Sequence, residues 1–263
     1  IVGTVVEELF EGVCFLEALK KIHPDYVIIG EASECRLNIA QRGRGEILIS
    51  VFGNGKHASV GRSTVNPIEQ VAFIIEAFHV WYRSEAVGLL GKRNIVPTDI
   101  KIPAGGGGGL DGRGGNSTVP NEVELTYDVR TLPGDTEESM LKLVRDNMEP
   151  VVSHGKRLYP SFQDPIIEYA KDECVTYTGV PIRQKKFAPA WQAGEEDELV
   201  VKAKLGLQKA ELPVEIGAYS FCTDGSAVVK YRELYPDRNC QVVGFGPSME
   251  SLAHTTNEYI ELD

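Results

Sequence analysis

Three short apolar runs, each leading into a polar residue able to do chemistry, constrain this chain most. Ile1-Val2-Gly3-Thr4-Val5-Val6 leads into Glu7-Glu8, and Tyr26-Val27-Ile28-Ile29 leads into Gly30-Glu31. Gln241-Val242-Val243-Gly244-Phe245 leads into a loop that carries His254. Short apolar runs bounded by turn residues read as buried strands. Adjacent carboxylates at the end of a buried strand repel each other and lose solvation, and a cation is the usual counterweight. Two carboxylates and an imidazole at separate strand ends form the kind of set that holds zinc.

Helical patterns fall between these runs. Residues 10–22 carry Val13, Leu16 and Leu19 on adjoining turns before Pro24-Asp25 breaks the pattern. Alternation of this kind favours a parallel sheet covered by helices. From Gln41 the pattern changes to a strand over 46–52, a helix over 67–82, a strand over 122–130 and a helix over 135–148. The stretch 92–116 reads as loop and contains the glycine run 105–109. Helices over 165–177 and 195–205, a strand over 216–221, another helix and the strand 241–245 follow. The expected fold is α/β, a domain with a mixed or parallel sheet, interrupted by an α+β insert of split-βαβ, ferredoxin-like type. Its parts are 1–41, 42–160 and 161–263, the first and last forming one domain around the insert.

Composition excludes some functions. The formal net charge of -11 leaves no basic surplus for nucleic acid. No apolar run is long enough to cross a bilayer, so no membrane partner is expected. Cys14, Cys35, Cys174, Cys222 and Cys240 are scattered and never spaced as Cys-x-x-Cys, which fits a reduced cytoplasmic setting. The chain opens inside a strand, and a further N-terminal segment is expected before it.

Each candidate has a bland reading beside the functional one. In Glu7-Glu8, one carboxylate can bind metal while its neighbour takes a proton from water; the pair can equally be an acidic helix start. Glu31 taken alone is a loop acid, although strand ends are where open α/β sheets place ligands. His254 follows the rigid turn Gly244-Phe245-Gly246-Pro247 in a loop over a sheet end. His57, in Gly55-Lys56-His57-Ala58-Ser59, reads alone as a solvated turn histidine. The glycine run lacks the Gly-Lys-Ser/Thr ending of a phosphate loop. No Gly-x-Ser-x-Gly elbow surrounds Cys222 or Ser226, and Asp224-Gly225 reads as a turn near a site.

Taken in order, these motifs resemble the co-catalytic zinc metallopeptidases and amidohydrolases that include aminoacylase, acetylornithine deacetylase, succinyl-diaminopimelate desuccinylase and carboxypeptidase G. Gly3-Thr4-Val5-Val6-Glu7-Glu8 resembles the family's Glu-Glu motif, which implies Glu7 as general base and Glu8 as a zinc ligand. Gly30-Glu31-Ala32-Ser33 is similar to its Glu-Pro-Thr/Ser motif, which makes Glu31 a ligand of the other zinc. Gly55-Lys56-His57-Ala58-Ser59 resembles the segment whose histidine reaches a neighbouring subunit's active site. Asn116-Ser117-Thr118-Val119-Pro120 and Asp128-Val129-Arg130 resemble motifs that imply Asn116 and Arg130 as substrate contacts. The C-terminal signature implies His254 as a zinc ligand. The resemblance thus implies that 1–41 (first part) and 161–263 (second part) form a zinc-hydrolase catalytic domain and 42–160 a lid or dimerisation domain, with two Zn2+ per subunit (Co2+ or Mn2+ as alternatives), a homodimer formed through the lid, and hydrolysis of an amide bond in a small peptide or N-acyl amino acid.

One motif departs from the pattern. The family's His-x-Asp, whose aspartate bridges both metals, is absent from this chain. Three ligands spread over two sites fall short of the four that zinc prefers, so this chain is expected to bind zinc weakly. The alternative is a non-catalytic dimerising or regulatory protein on the same fold.

Overall fold

The computed structural model describes residues 1–104 and 117–260, with side chains throughout except at 61–63 and 81. The elements run in order as α1 (Val13–Ile22), β1 (Tyr26–Ile29), β2 (Leu37–Gln41), β3 (Gly43–Phe52), α2 (Pro67–Trp81), β4 (Ala86–Val87), β5 (Gly91–Lys92) and β6 (Asn94–Lys101). Next come β7 (Glu122–Thr131), α3 (Glu137–Leu158), β8 (Ile166–Tyr169), β9 (Lys171–Val175), β10 (Pro181–Lys185), β11 (Phe187–Ala188) and β12 (Trp191–Gln192). The chain closes with α4 (Glu198–Lys209), β13 (Ile216–Tyr219), α5 (Ser226–Leu234) and β14 (Gln241–Gly244).

Two larger sheets carry the molecule. The first runs β1-β14-β2-β12, with β13 also on β2. It is mixed: β1 pairs with β14 and β13 with β2 in parallel, while β12 is antiparallel to β2. Every residue of β2 and β14 is buried, as expected of strands covered on both faces. One cover is α1 with α5, where Phe15 and Leu19 meet Val228 and Tyr231; the other is α4, where Leu199 and Val200 meet Ile39 and Val243. This coverage leaves only the strand ends open, and Glu31 follows β1 directly.

The second sheet runs β11-β3-β7-β6, with β8 also on β3, and every pairing is antiparallel. The order β8-β3-β7-β6 with α2 and α3 is the βαββαβ arrangement expected of a ferredoxin-like unit. Alternate residues of β7 are buried against the two helices, so Val123, Leu125, Tyr127 and Val129 meet Ile74, Phe78, Met140 and Val144. The other face of this sheet is polar and turns Arg44, Glu46 and Asp128 outward. Strands β8 and β11 of this sheet lie beyond residue 160.

Both passages of the chain between the sheets are packed tightly. A single residue, Arg42, separates β2 from β3. A Cβ on Gly43 would come within 2.4 Å of the Ala188 carbonyl oxygen and 2.5 Å of the Ala190 nitrogen, so glycine is required there. Beside it the fully buried Gln41 donates to Ser226 Oγ at 2.9 Å and accepts from Trp191 Nε1 at 2.9 Å. A buried polar side chain is tolerated only when satisfied in this way.

Several expected elements differ. Residues 1–6 form no strand: Val6 has φ 55°, which breaks an extended run. Residues 165–177 form β8 and β9 rather than a helix, because Ile166, Ile167 and Tyr169 find an open edge on β3. The 92–116 stretch contains β6, an edge strand whose register shifts between Pro97 and Asp99. Helix α3 continues past Met148 and through Pro150 to Leu158. The glycine run 105–109 lies outside the described residues.

Candidate active site

Three distant segments converge on one cavity of about 590 Å³ between the sheets. Glu7 and Glu8 come from the segment before α1, Glu31 from the end of β1, and His254 from the loop after β14; all four line it. Arg44 and Arg130, from β3 and β7, line it too.

Each segment is held by identifiable contacts. Thr4 Oγ1 donates to Asp224 at 2.5 Å and the Gly12 amide donates to Asp224 at 2.7 Å. Between them Phe10 is buried. The Glu31 loop is fastened to the His254 loop through Ser33, which is fully buried. Ser33 Oγ donates to the Arg36 carbonyl at 2.8 Å and accepts from the Gly246 amide at 3.0 Å. A Cβ on Gly246 would lie 2.4 Å from the Glu31 carbonyl oxygen, so this close approach needs glycine. Tyr219 Oη also donates to that carbonyl, at 3.0 Å.

The cavity is electrostatically lopsided. Burial pushes the Glu7 carboxyl up to about 8, and Asp224, Glu31, Glu8 and Glu11 add to the rise. Burial, then Glu8, Asp224 and Glu258, push Glu31 up as well, while His254 pulls it back. His254 Nε2 lies 3.6 Å from Glu8 Oε2, and its amide donates to Glu258 at 3.3 Å. The arginines are already engaged. Arg44 meets Glu11 at 3.0 Å, Glu46 at 2.7 Å and Asp128 at 3.4 Å, while Arg130 donates to both oxygens of Asp128 at 2.8 and 3.3 Å.

The donor set suits zinc in kind. Carboxylate and imidazole are zinc ligands, and Glu7 and Glu31 with raised pKa values are short of positive charge. It falls short in number: among the described residues no group of three or more His, Cys, Asp or Glu side chains lies close enough to hold a metal ion.

The remaining expected residues lie apart. His57 is exposed, does not line this cavity, and bonds through Nδ1 to Ser59 Oγ at 2.9 Å. Asn116 lies outside the described residues. Asp224, Glu11, Arg44 and Ser33 shape the site without having been candidates. Their contacts join residues as much as 220 positions apart, and no local spacing signals such a pairing.

Residues 39–156 match the model of the peptidase dimerisation domain. The chain is 25% identical over 264 residues to the uncharacterized protein YgeY of Escherichia coli, covering 98% of this chain and 59% of that protein. It is 24% identical to the acetylornithine deacetylase of Photorhabdus laumondii, covering 100% of this chain and 59% of the relative. The chain thus spans about three-fifths of the length of the curated relatives it matches. Among solved structures, aminopeptidase PepT from Bacillus cereus superposes with a TM-score of 0.64 at 14% identity, over 98% of this chain and 58% of that one. An M20 family metallo-carboxypeptidase from Sulfolobus solfataricus does so with a TM-score of 0.59 at 13% identity, over 95% and 63%. Over 39–156 the chain is thus similar to the peptidase dimerisation domain, along its length it resembles a relative of deacetylase type, and it shares its fold with aminopeptidase PepT and an M20 family metallo-carboxypeptidase.

Proposed function

We propose that the protein is a metal-dependent hydrolase that cleaves the amide bond of a small peptide or N-acyl amino acid. The observation that carries this reading is the convergence of Glu7, Glu8, Glu31 and His254 on one cavity. Glu8, Glu31 and His254 would hold zinc, with cobalt or manganese as alternatives. Held there, such an ion would supply Lewis acidity and lower the pKa of a water. Glu7 takes a proton from the attacking water and delivers it to the leaving amine. Arg130, fixed by Asp128, faces the cavity to orient an anionic group of the substrate. Asn116 is proposed as a second substrate contact. In this reading 1–41 and 161–263 supply the catalytic domain and 42–160 the lid, whose sheet is completed by β8 and β11 from beyond residue 160.

The test is metal content and amide hydrolysis on the protein expressed from its complete gene. Titrated zinc is expected to bind and activate, and Glu8→Ala or His254→Ala is expected to weaken zinc binding at least tenfold by calorimetry. A protein that binds no zinc and hydrolyses no N-acyl amino acid or dipeptide would leave the second reading, a non-catalytic dimerising protein. The shortage of ligands among the described residues favours that alternative.

The reading includes a homodimer formed through the second sheet. Strand β6 is the terminal strand of that sheet among the described residues, and it exposes Val96 and Ile100. Nearby α2 exposes Ile68, Phe73 and Val80. An unpaired edge beside apolar side chains is a template for a second copy. His57 is proposed to serve the second protomer's cavity. The double variant Ile100→Lys/Phe73→Glu is expected to shift the protein to monomer in sedimentation equilibrium and to lose activity with it. Full activity in a monomer would exclude the role given to His57.

No helix among the described residues is long and apolar enough to cross a membrane. A cytoplasmic location is part of the proposal and rests on the unpaired cysteines.

A further inference from the structure

The segment carrying Glu7 and Glu8 is a loop closed at its base by one carboxylate. Asp224 Oδ2 accepts from Thr4 Oγ1 at 2.5 Å, and Asp224 Oδ1 accepts from the Gly12 amide at 2.7 Å. These two donors bracket Glu7 and Glu8 in the sequence. Inside the bracket the backbone reverses at Val6, with φ 55°, and the Leu9 and Phe10 amides donate to the Val6 carbonyl at 3.2 and 3.0 Å. Phe10, 3% exposed, seats the loop in the core. At the far end Gly12 has φ 80°, and a Cβ there would come within 2.8 Å of the Ala227 nitrogen. The loop is therefore pressed against the start of α5, with Asp224 between them.

Asp224 is itself anchored from behind. Its carbonyl accepts from the Ala227 amide at 2.9 Å. Its neighbour Thr223, fully buried, donates to Gln41 Oε1 at 2.5 Å and accepts from the Gly225 amide at 3.0 Å. Gln41 also accepts from Trp191 and donates to Ser226. These side chains sit where the chain passes between the two sheets. The rigid passage thus fixes Thr223, Thr223 precedes Asp224, and Asp224 holds both ends of the loop. Asp224 does not line the cavity, and its carboxylate oxygens face donors.

We infer that Asp224 is a positioning residue that sets Glu7 over the cavity for the proposed hydrolysis. The inference rests on that proposed reaction, and it separates Asp224 from the groups that would touch substrate or metal. Displacing a proton-transfer group by about 1 Å is enough to cost roughly 100-fold in rate.

The experiment compares Asp224→Ala, Asp224→Asn and Thr4→Val with the wild type, using steady-state kinetics and amide hydrogen exchange. Asp224→Ala is expected to lower kcat about 100-fold while KM stays within about threefold. Exchange is expected to accelerate over residues 5–12 and to remain slow in β13 and α5. Asp224→Asn keeps an acceptor for Gly12 and can donate to Thr4 Oγ1, so it should recover kcat to within about tenfold of wild type. Thr4→Val removes one of the two contacts and should fall between. Unchanged kcat in Asp224→Ala, or exchange in 5–12 that matches wild type, overturns the inference. If Asp224→Ala does not fold, Thr4→Val and Asp224→Asn decide, and wild-type kinetics and exchange in Thr4→Val are the overturning result. A wild type that hydrolyses no amide defeats the functional reading instead, while exchange over 5–12 still reports on the anchor.

Discussion

Replacing Glu7 by glutamine is expected to lower amide hydrolysis by about 10²–10⁴-fold, the range general acid–base groups contribute, and to stabilise the metal-free protein. Both effects have one cause. Burial and the carboxylates of Asp224, Glu31, Glu8 and Glu11 disfavour the charged form of Glu7 and move its pKa to about 8. A group in that environment is a poor structural choice and a useful acceptor and donor of protons. Glutamine keeps the size and loses the charge, so the strain of burying a carboxylate disappears together with the proton transfer. KM should change little, because the lost interaction belongs to the transition state. The check is kcat beside thermal unfolding of metal-free wild type and variant at pH 8. Unchanged kcat would remove Glu7 from the reaction. An unchanged melting temperature would show that its carboxyl is solvated.

The parts legible in the sequence are those governed by local pattern. The strict alternation in β7 gave its buried face directly, since Val123, Leu125, Tyr127 and Val129 all pack inward. Asn66-Pro67 marked the start of α2, where Asn66 Oδ1 accepts from the Ile68 amide at 3.1 Å. The Glu-Glu, Gly-Glu and His254 segments were legible as candidates because each follows an apolar run. What stayed hidden depends on partners far along the chain. Residues 166–169 satisfy a helical period as well as a strand period, and only the free edge of β3 decides between them. Pro150 reads as a helix stop, but burial of Val151 and Gly155 carries α3 beyond it. A Cβ on Gly155 would lie 2.2 Å from the Phe162 ring, so this packing requires glycine. The apolar run 1–6 reads as a strand, yet its hydrogen-bonding is decided by Asp224, over 200 residues away. The anchors of the site, Asp224, Ser33 and Gln41, share that property: each is an ordinary residue locally and a junction in three dimensions.

The same electrostatics predict how the metal-free protein responds to pH. Glu7, Glu31 and Asp224 all have their carboxyl pKa raised, each with burial as the leading cause. A carboxyl whose folded pKa lies above its unfolded value binds more protons in the folded state between the two values. Stability therefore falls as pH rises through that window. For Glu7 the window runs from the ordinary value of 4.5 to about 8. Glu7 alone should remove about 2–3 kcal/mol across it, after solvent screening reduces the conversion of about 1.4 kcal/mol per pH unit. Glu31 and Asp224 add to the fall in the same direction. Zinc should reverse the slope. Its ligands bind deprotonated, so affinity and the stabilisation it brings both grow with pH, by about 2.7 kcal/mol at a hundredfold excess over Kd. Urea unfolding at pH 5, 6.5 and 8, with chelator and with zinc, reads both slopes. A metal-free midpoint that stays level or climbs from pH 5 to 8 would show that the three carboxyls are not held together at low solvation. A chelator curve and a zinc curve that coincide would show that no ion enters among them. Opposite slopes would show carboxylates crowded at a cost that a cation relieves, which is the condition under which Glu7 is left to carry the proton.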